Sequence, residues 1–292
     1  MIKHLGNCDA NIYLRTAKSK DPTIYYLTGI DTDLGVLVTF RNKRRKPVLL
    51  LSPLEAKPQR SDLTIQTIDF SRLEKLFSGA PIKTIGIHYN EMKLASYDLL
   101  RSHLKGYEFI NIAADITHAR EVKTTQEIRY LRQAIHITEQ ILQELYGFLG
   151  SWTYEQEAIR YIKQRAIDFG VQLSFEPIVA SGKHASIPHY VPGNKSRLLK
   201  GFCIIDMGVC VQGYHADISR TIYLGRPSQQ DKQAYERVRK EQQRLEKTLR
   251  AGASTITSNL RINHAFGHGI GLEVHEAPHL GHDTLKTGMT IA

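Results

Sequence analysis

The sequence predicts two successive domains, both of α/β type. Short runs of β-branched and aliphatic residues alternate with amphipathic segments through the first third of the chain, which is typical of α/β proteins. Near residue 118 this alternation gives way to long helical periodicities and then to a β-rich stretch. The chain has 292 residues, of which 41% are hydrophobic and 23% charged, as expected for globular domains. We therefore predict a first domain over residues 1–117 and a second over residues 118–292.

Five strands and one helix are expected in the first domain. The predicted strands are TIYYLTG (23–29), GVLVTF (35–40), KPVLLLS (46–52), KTIGIHY (83–89) and YEFINIA (107–113). The segment EMKLASYDLLRSHL (91–104) predicts a helix, because Leu94, Leu99, Leu100 and Leu104 lie on one side of it. Strands that alternate with helices predict a sheet whose faces are mostly covered.

Three long helices are expected in the second domain. In the first, apolar residues recur at intervals of three, four and seven, and Gly150 can end it. These residues are Ile128, Leu131, Ile135, Leu142, Leu145 and Leu149. The second helix lies in SWTYEQEAIRYIKQRAIDFG (151–170), where Thr153 and Gln156 can form a capping box and Gly170 can end the helix.

The third predicted helix covers residues 231–252 and ends at Gly252. Its apolar residues are Tyr235, Val238, Leu245 and Leu249, which we expect to face the core. Between the second and third helices, residues 173–224 have a β pattern.

Composition and charge exclude several classes of protein. The net charge is +10, but the densest basic run, RNKRRK (41–46), contains no aromatic residue and lies between two predicted strands, so an exposed hairpin turn is preferred over a nucleic-acid site. No stretch reaches the roughly 18 apolar residues of a membrane helix, and no signal-peptide core is present. The three cysteines, Cys8, Cys203 and Cys210, predict buried thiols in a reducing compartment. A cytoplasmic protein without nucleic-acid or membrane partners is expected.

The segment CIIDMGVCVQGYHADISRTIYLG (203–225) predicts a hairpin that carries two carboxylates. A tight turn at Gln212 and Gly213 would place residue 217 opposite residue 208. Asp206 and Asp217 then become diagonal neighbours on one face, about 7–8 Å apart at Cα. Two such carboxylates are costly unless a cation neutralises them, and the flanking residues are too apolar for a solvated face. A metal site is therefore preferred over two exposed aspartates.

Histidines accumulate near the end of the chain and once before the acidic hairpin. His268 stands between glycines, with His264 and His275 on either side, and imidazole together with carboxylates suits Mn, Co, Fe or Zn. A lone histidine is more often a packed or surface residue, so the clustering is what favours a site. His189 follows Pro188 in a position suited to reach a pocket, whereas His184 is expected to be a surface loop residue.

Three motifs together resemble those of the pita-bread metallopeptidases, in the branch of creatinase, prolidase and Xaa-Pro aminopeptidase. They are FEPIVASGKHASIPHY (175–190), IDMGVCVQGYHADISRT (205–221) and GHGIGLEVHEAP (267–278). Residues 1–117 resemble the creatinase/prolidase N-terminal domain, with DPTIYYLTG as its early strand, and REVKTTQEIRYLRQA (120–134) resembles the helix that opens the catalytic domain. The resemblance implies an α/β N-terminal domain followed by an α+β pita-bread catalytic domain, whose C-terminal strands are missing from this sequence.

The resemblance also implies a role for each matching residue. Asp206 matches a ligand of one metal ion, Asp217 the aspartate that bridges two, and His268 the histidine on the second ion. His275 and His189 match the pair that contacts the scissile peptide and steadies the tetrahedral intermediate. In the family, a hydroxide activated by two Mn, Co or Zn ions attacks the bond before proline, in agreement with two-metal chemistry. Many relatives are homodimers, so a homodimer is possible here.

The sequence departs from the family pattern in two places. The family site has two further glutamate ligands, the first in a strand directly after a Gly-Met pair such as Gly288 and Met289, and this sequence stops at GMTIA. A full helix expected between Gly252 and Gly267 is also missing, which resembles an internal deletion. Glu273 and Glu276 are not expected to replace the glutamates, because the family pattern holds them elsewhere. We therefore expect at most one weakly bound metal and doubtful activity.

Three functions remain open at this stage. The first is a metal-dependent peptidase of prolidase or Xaa-Pro aminopeptidase type, which acts on proline-containing peptides. The second is a non-catalytic pita-bread protein that binds peptides or acts as a scaffold. The third, a nucleic-acid binder, rests only on the net charge and would require binding with a steep salt dependence.

Overall fold

The computed structural model describes residues 2–16, 19, 21–79, 81–254 and 266–292. Contacts between Cα atoms divide the chain into two compact units, which we call the N-terminal unit (Met1–Ala119) and the C-terminal unit (Arg120–Ala292). His264 and the proposed internal deletion lie wholly or mainly in residues 255–265, outside the described residues. The domain boundary after residue 117 stays a prediction.

The N-terminal unit is built on a six-stranded mixed sheet in the order β4-β3-β2-β1-β5-β6. Its strands are β1 (Ala10–Arg15), β2 (Gly35–Phe40), β3 (Val48–Leu51), β4 (Thr64–Thr67), β5 (Thr84–Ile87) and β6 (Glu108–Asn111). Its helices are α1 (Thr23–Thr28), α2 (Phe70–Phe77), α3 (Leu94–His103) and α4 (Ala113–Glu121), the last of which crosses the division between the units. Four of the five predicted strands are confirmed, and β2 and β3 form the predicted antiparallel hairpin around the basic turn.

The predicted strand over residues 23–29 is wrong, because this segment is helix α1. Asp21 starts the helix: its Oδ1 accepts a hydrogen bond from the backbone N–H of Thr23 at 2.9 Å. Gly29 ends it with a φ of 71°, a left-handed conformation that glycine adopts without a steric penalty. The hydrogen bond to Asp21 at the start of the segment and the left-handed Gly29 at its end therefore favour a helix, although the local β propensity favours a strand.

Helix α3 buries a narrower face than the sequence predicted. Leu100 and Leu104 are buried against the sheet, whereas Leu94 is 74% and Leu99 44% exposed. The core of this unit is dominated by the aliphatic residues of the sheet, including Leu37, Leu49 and others that are fully buried on β2 and β3. These strands are apolar on both faces, as expected for a sheet that is covered on both sides.

The C-terminal unit combines helices with two three-stranded sheets, in the orders β12-β9-β8 and β11-β10-β7. Its strands are β7 (Gln172–Leu173), β8 (Ile178–Ser181), β9 (Gly201–Met207), β10 (Val209–Val211), β11 (Tyr214–His215) and β12 (Ile218–Leu224). Its helices are α5 (Thr125–Phe148), α6 (Glu155–Asp168) and α7 (Gln229–Glu246), and short 3-10 helices cover Leu149–Ser151 and Gly182–Ser186. The predicted combination of long helices and β-rich segments is confirmed.

The predicted capping box of α6 names the wrong residues. The Glu157 carboxylate, not Gln156, accepts hydrogen bonds from the backbone N–H groups of Thr153 and Tyr154, at 2.8 and 2.7 Å. Gly170 follows the helix with a φ of 67°, so the predicted glycine stop is confirmed. A capping box at α5 that the sequence analysis did not propose joins Thr124 and Glu127.

Helix α7 is the least buried of the three long helices. Leu245 is buried as predicted, but Tyr235 is 41% and Val238 55% exposed, so the prediction that both face the core is wrong. Elsewhere the core of this unit is formed by α5, α6 and strands β8–β10, with residues such as Ile141, Leu145 and Ile205 fully buried. No helix within the described ranges is long and apolar enough to cross a membrane.

Candidate functional site

The acidic hairpin has the register that the sequence predicts. In the antiparallel pair β9–β12, Asp206 lies opposite Ser219 and Met207 opposite Ile218. The hairpin β10–β11 closes through Gln212 and Gly213, whose φ angles are 50° and 77°, as a tight turn requires. Continued by one residue, this register places Asp217 opposite Gly208. Asp217 and Asp206 are therefore diagonal neighbours on the same face of the hairpin.

Gly208 lets the two halves of the hairpin approach each other closely. A Cβ atom at this position would lie 1.7 Å from the carbonyl oxygen of Ala216, far inside van der Waals contact. Here the chain passes from β9 to β10, which belong to different sheets, and the Gly208 carbonyl accepts a hydrogen bond from Ser174 N at 2.8 Å. Only glycine fits where the backbone must pass this close to the residue before Asp217.

The environment of Asp206 disfavours a lone negative charge. Burial is the main cause that raises the pKa of this carboxyl group, and the neighbouring Asp217 carboxylate raises it further. A hydrogen bond from Ser219 Oγ, at 2.7 Å from Asp206 Oδ1, acts in the opposite direction. Two carboxyl groups in contact and partly removed from water are an arrangement that a bound cation would stabilise.

His268 contacts one of the two carboxylates, that of Asp217. Its Nε2 atom lies 3.4 Å from Asp217 Oδ2, and this hydrogen-bonding contact is the main cause that raises the pKa of the imidazole. The backbone of His268 is fixed by two hydrogen bonds with Ala292, at 3.1 and 2.9 Å. Gly267 permits this close pairing, since a Cβ atom at this position would lie 2.3 Å from the Ala292 carbonyl oxygen.

The other two predicted histidines lie near His268. The rings of His268 and His275 are 4.1 Å apart at their centroids and tilted by 49°. Burial, and after it the positive charge of His268, lowers the pKa of His275, and His189 contributes in the same direction. Asp206, Asp217, His268 and His275 are thus joined by contacts, and His189 lies close enough to His275 to influence its pKa.

As they stand, the side chains do not form a closed ligand set. Within the ranges that the structure describes, no group of three or more His, Cys, Asp or Glu side chains is close enough together to hold a metal ion. Asp206, Asp217 and His268 instead form two contacting pairs that share Asp217. Metal–ligand bonds of about 2.0–2.2 Å would require these side chains to turn toward a common point.

His184 is not the surface loop residue that the sequence analysis expected. Its Nδ1 lies 3.0 Å from the Oε1 atom of Glu155, whose side chain is fully buried. Glu155 was not predicted as a functional residue, because a glutamate at the start of an amphipathic helix is usually a solvated first-turn residue.

An ion cluster that the sequence analysis also missed fixes the histidine segment. The Glu276 carboxylate pairs with Arg120 and Lys123, and Lys123 Nζ lies 2.7 Å from Glu276 Oε1. The side chains of Arg120, Lys123 and Glu276 are only 8%, 1% and 7% exposed. Arg120 also pairs with Glu273 at 2.7 Å. Both glutamates are therefore engaged by basic side chains of the same unit.

Comparison with protein families covers nearly the whole chain. Residues 129–292 match the model of metallopeptidase family M24, and residues 16–122 match the creatinase/prolidase N-terminal domain. A Xaa-Pro dipeptidase of Pyrococcus horikoshii is 26% identical over 294 residues, which span 94% of this chain and 82% of the relative. A peptidase of Staphylococcus aureus described as uncharacterized is 26% identical over 290 residues, spanning 92% of this chain and 83% of the relative.

Solved structures show the same fold. The prolidase from Pyrococcus horikoshii superposes with a TM-score of 0.83 at 24% identity, covering 97% of this chain and 85% of that protein. The X-Pro aminopeptidase from Thermotoga maritima gives a TM-score of 0.79 at 24% identity, with coverages of 93% and 82%. The chain therefore has the expected architecture, a creatinase-type N-terminal domain followed by a pita-bread domain.

Proposed function

Because the chain belongs to metallopeptidase family M24, we propose that it is a metal-dependent peptidase that hydrolyses the bond before proline in short peptides. The observation that carries this proposal is the convergence of Asp206, Asp217 and His268 with two further histidines, His275 and His189. The names of the relatives, a Xaa-Pro dipeptidase and an X-Pro aminopeptidase, support the choice of substrate class.

The donor set fits a divalent cation. Two carboxylates and one imidazole combine the oxygen and nitrogen ligands that Mn, Co and Zn accept. Burial, and after it the neighbouring Asp217, raises the pKa of Asp206, which means that the ionised carboxylate is destabilised there. A bound cation would offset this destabilisation. We propose that Asp206, Asp217 and His268 hold the metal, and we expect these three groups alone to bind one ion weakly. A bound divalent ion would lower the pKa of water and stabilise the negative charge that develops on the substrate.

His275 and His189 would act on the peptide itself. The proposal places the two imidazoles beside the scissile carbonyl, where an N–H group can donate to the oxygen as negative charge develops on it. The proximity of His275 to His268, with ring centroids 4.1 Å apart, supports a substrate position next to the carboxylates. Donors already aimed at the position of the oxyanion need little reorganisation during the reaction.

Three further parts of the proposal concern the metal, the assembly and the compartment. We propose manganese as a resident ion, because carboxylate-rich sites suit the harder members of the first-row metals. We propose a cytoplasmic location, since Cys8, Cys203 and Cys210 are all free thiols. A homodimer is proposed from the family resemblance.

The test combines metal titration with hydrolysis. Calorimetric titrations with Mn, Co and Zn are run on the full chain, together with assays on Ala-Pro and, as a control peptide, Ala-Ala. The proposal expects hydrolysis of Ala-Pro that depends on added metal, stops with a chelator and does not extend to Ala-Ala. Binding of Ala-Pro without hydrolysis would favour the non-catalytic alternative, whereas neither binding nor hydrolysis would contradict both functions.

A further inference from the structure

We infer that Glu155 is a positioning residue that fixes the loop carrying His189. We call residues 182–196 the His189 loop. The proposed function enters this inference only through the assignment of His189 to the substrate, and one part of the test below measures the position of the ring without any hydrolysis.

Glu155 gathers three hydrogen bonds on one buried oxygen. Its side chain has 0% exposure, and its Oε1 accepts hydrogen bonds from the N–H and Oγ–H groups of Ser181 at 2.8 and 2.7 Å. The same oxygen lies 3.0 Å from His184 Nδ1. The donors are Ser181, just before the loop, and His184, in the first turn of the loop. By binding both, the buried carboxylate fixes the direction in which the loop leaves β8.

The far end of the loop is fixed by the same turn of α6. The backbone N–H of Glu155 donates to the carbonyl of Ser196 at 2.9 Å, and Gln156 Nε2 donates to the carbonyl of Pro192 at 2.8 Å. Ser181 Oγ also accepts a hydrogen bond from Leu199 N at 2.8 Å. Both ends of the loop are therefore held within a few ångströms of one helix N-terminus.

Between these ends, the contact continues from His184 to His189. The His184 ring stacks on the ring of Tyr190, with centroids 4.6 Å apart and planes 16° apart. Tyr190 directly follows His189, and its hydroxyl group lies 3.0 Å from Ser196 Oγ. The chain of contacts thus runs from the buried carboxylate to the residue next to His189.

The backbone of His189 shows why such support is needed. Its φ is 52°, a left-handed conformation that non-glycine residues adopt rarely and that persists where the surroundings impose it. Since the His189 side chain itself is exposed, the neighbouring contacts of the loop are what can hold this conformation. Removing the His184 ring should therefore displace His189 without touching it.

The kinetic test uses His184→Ala, with His136→Ala as the matched control, because His136 is an exposed histidine of α5. On Ala-Pro, His184→Ala should lower kcat by about 10- to 100-fold, the range found when supporting partners of site residues are removed, with KM nearly unchanged. His136→Ala should leave both constants unchanged. In a His189→Ala background, His184→Ala should have no further effect, because its effect is transmitted through His189.

Glu155 itself is tested with a conservative pair of variants. Glu155→Gln keeps an oxygen acceptor and should retain most of the activity, whereas Glu155→Ala should behave like His184→Ala. If Glu155→Ala fails to fold, His184→Ala carries the test, since the imidazole can be removed while the bonds between Glu155 and Ser181 remain. An equal loss of kcat from His184→Ala in the wild-type and His189→Ala backgrounds would overturn the inference.

A second readout does not depend on turnover. With 13C-labelled histidine, the ring signal of His189, assigned through its loss in His189→Ala, should shift in His184→Ala and stay in place in His136→Ala. A His189 signal that is unchanged in His184→Ala would contradict the inference even in an inactive chain. A shifted signal in a chain that cleaves no Xaa-Pro peptide would support the positioning role and count against the proposed function.

Discussion

The Nε2 atom of His268 lies 3.4 Å from the Oδ2 atom of Asp217, although the two residues are 51 positions apart in the sequence. Asp217 also contacts the carboxyl group of Asp206. The central carboxylate of the proposed metal site is therefore shared between a hairpin and a glycine-rich segment. Its removal should disrupt both pairs at once.

Substitution of Asp217 by Asn should abolish most divalent-metal binding. The amide cannot supply a charged oxygen to the cation, and loss of a ligand should exceed the roughly 10- to 100-fold weakening seen when a ligand's hydrogen-bonding partner is lost. Calorimetric titration with Mn checks this, with Asp98→Asn, an exposed position on α3, as the control. Equal affinities of wild type and Asp217→Asn for Mn would show that Asp217 is not a metal ligand.

Substitution of Glu276 by Gln should destabilise the C-terminal unit by about 3–5 kcal/mol, the cost of breaking a buried ion pair from one side. Lys123 is only 1% exposed and would lose the carboxylate that pairs with it. Urea unfolding followed by the fluorescence of Trp152 gives the free energy. Glu236→Gln, at an exposed pair with Arg239, should leave it unchanged. Similar small effects at both positions would show that the buried cluster contributes little.

Substitution of Gly208 by Ala should destabilise the C-terminal unit by about 1–3 kcal/mol, because overpacking at a rigid contact forces the backbone to move. The added Cβ would lie 1.7 Å from the Ala216 carbonyl oxygen. Metal binding should be lost as well, since Asp217 follows Ala216 directly. Gly147→Ala is the control: nothing lies within 4 Å of its Cβ position, so this helical site should gain up to about 1 kcal/mol. A stable, metal-binding Gly208→Ala chain would refute the close-approach argument.

Because Asp21 is buried and hydrogen-bonded, the N-terminal unit should become less stable as the pH falls into the acidic range. Burial acts to raise the pKa of Asp21, but hydrogen bonds from His88 and Thr23 outweigh it and hold the pKa below the ordinary value of 3.8. The folded state therefore favours the ionised carboxylate. The ionised carboxylate contributes fully to the stability of the unit above the pKa of the unfolded state, which is about 4. This contribution is lost as the pH falls through the lower pKa of the folded state.

Hydrogen exchange of the β1 and β5 amides between pH 3 and 7 measures this dependence. In Asp21→Asn the protection should be lower than in wild type above about pH 4, and the difference should shrink below it. Asp33→Asn, at an exposed position, serves as the control and should show a smaller difference. A gap between wild type and Asp21→Asn that stays constant down to pH 3 would rule out the ionised carboxylate as its source.

The relative positions of Asp206 and Asp217 could be predicted because they depend on local rules. Gln212 and Gly213 define the turn, and the pairing of strands on either side then follows by counting, which placed Asp206 and Asp217 on one face. Turn chemistry and strand alternation act over a few residues, so they are readable in the sequence.

Other features depend on partners that are far apart in the chain, and only the tertiary structure decided them. Residues 23–28 are helical although their composition favours a strand, and the anchoring Asp21 is held by His88, 67 positions away. Glu155 and Glu276 likewise resemble ordinary helix and loop acids in the sequence. Their importance comes from burial against Ser181, and against Lys123 at a separation of 153 positions. The sequence by itself determined which chemical groups face each other on the hairpin. Long-range burial determined which charges hold the loops that present the histidines, because the cost of desolvating a charge exists only once the chain has folded around it.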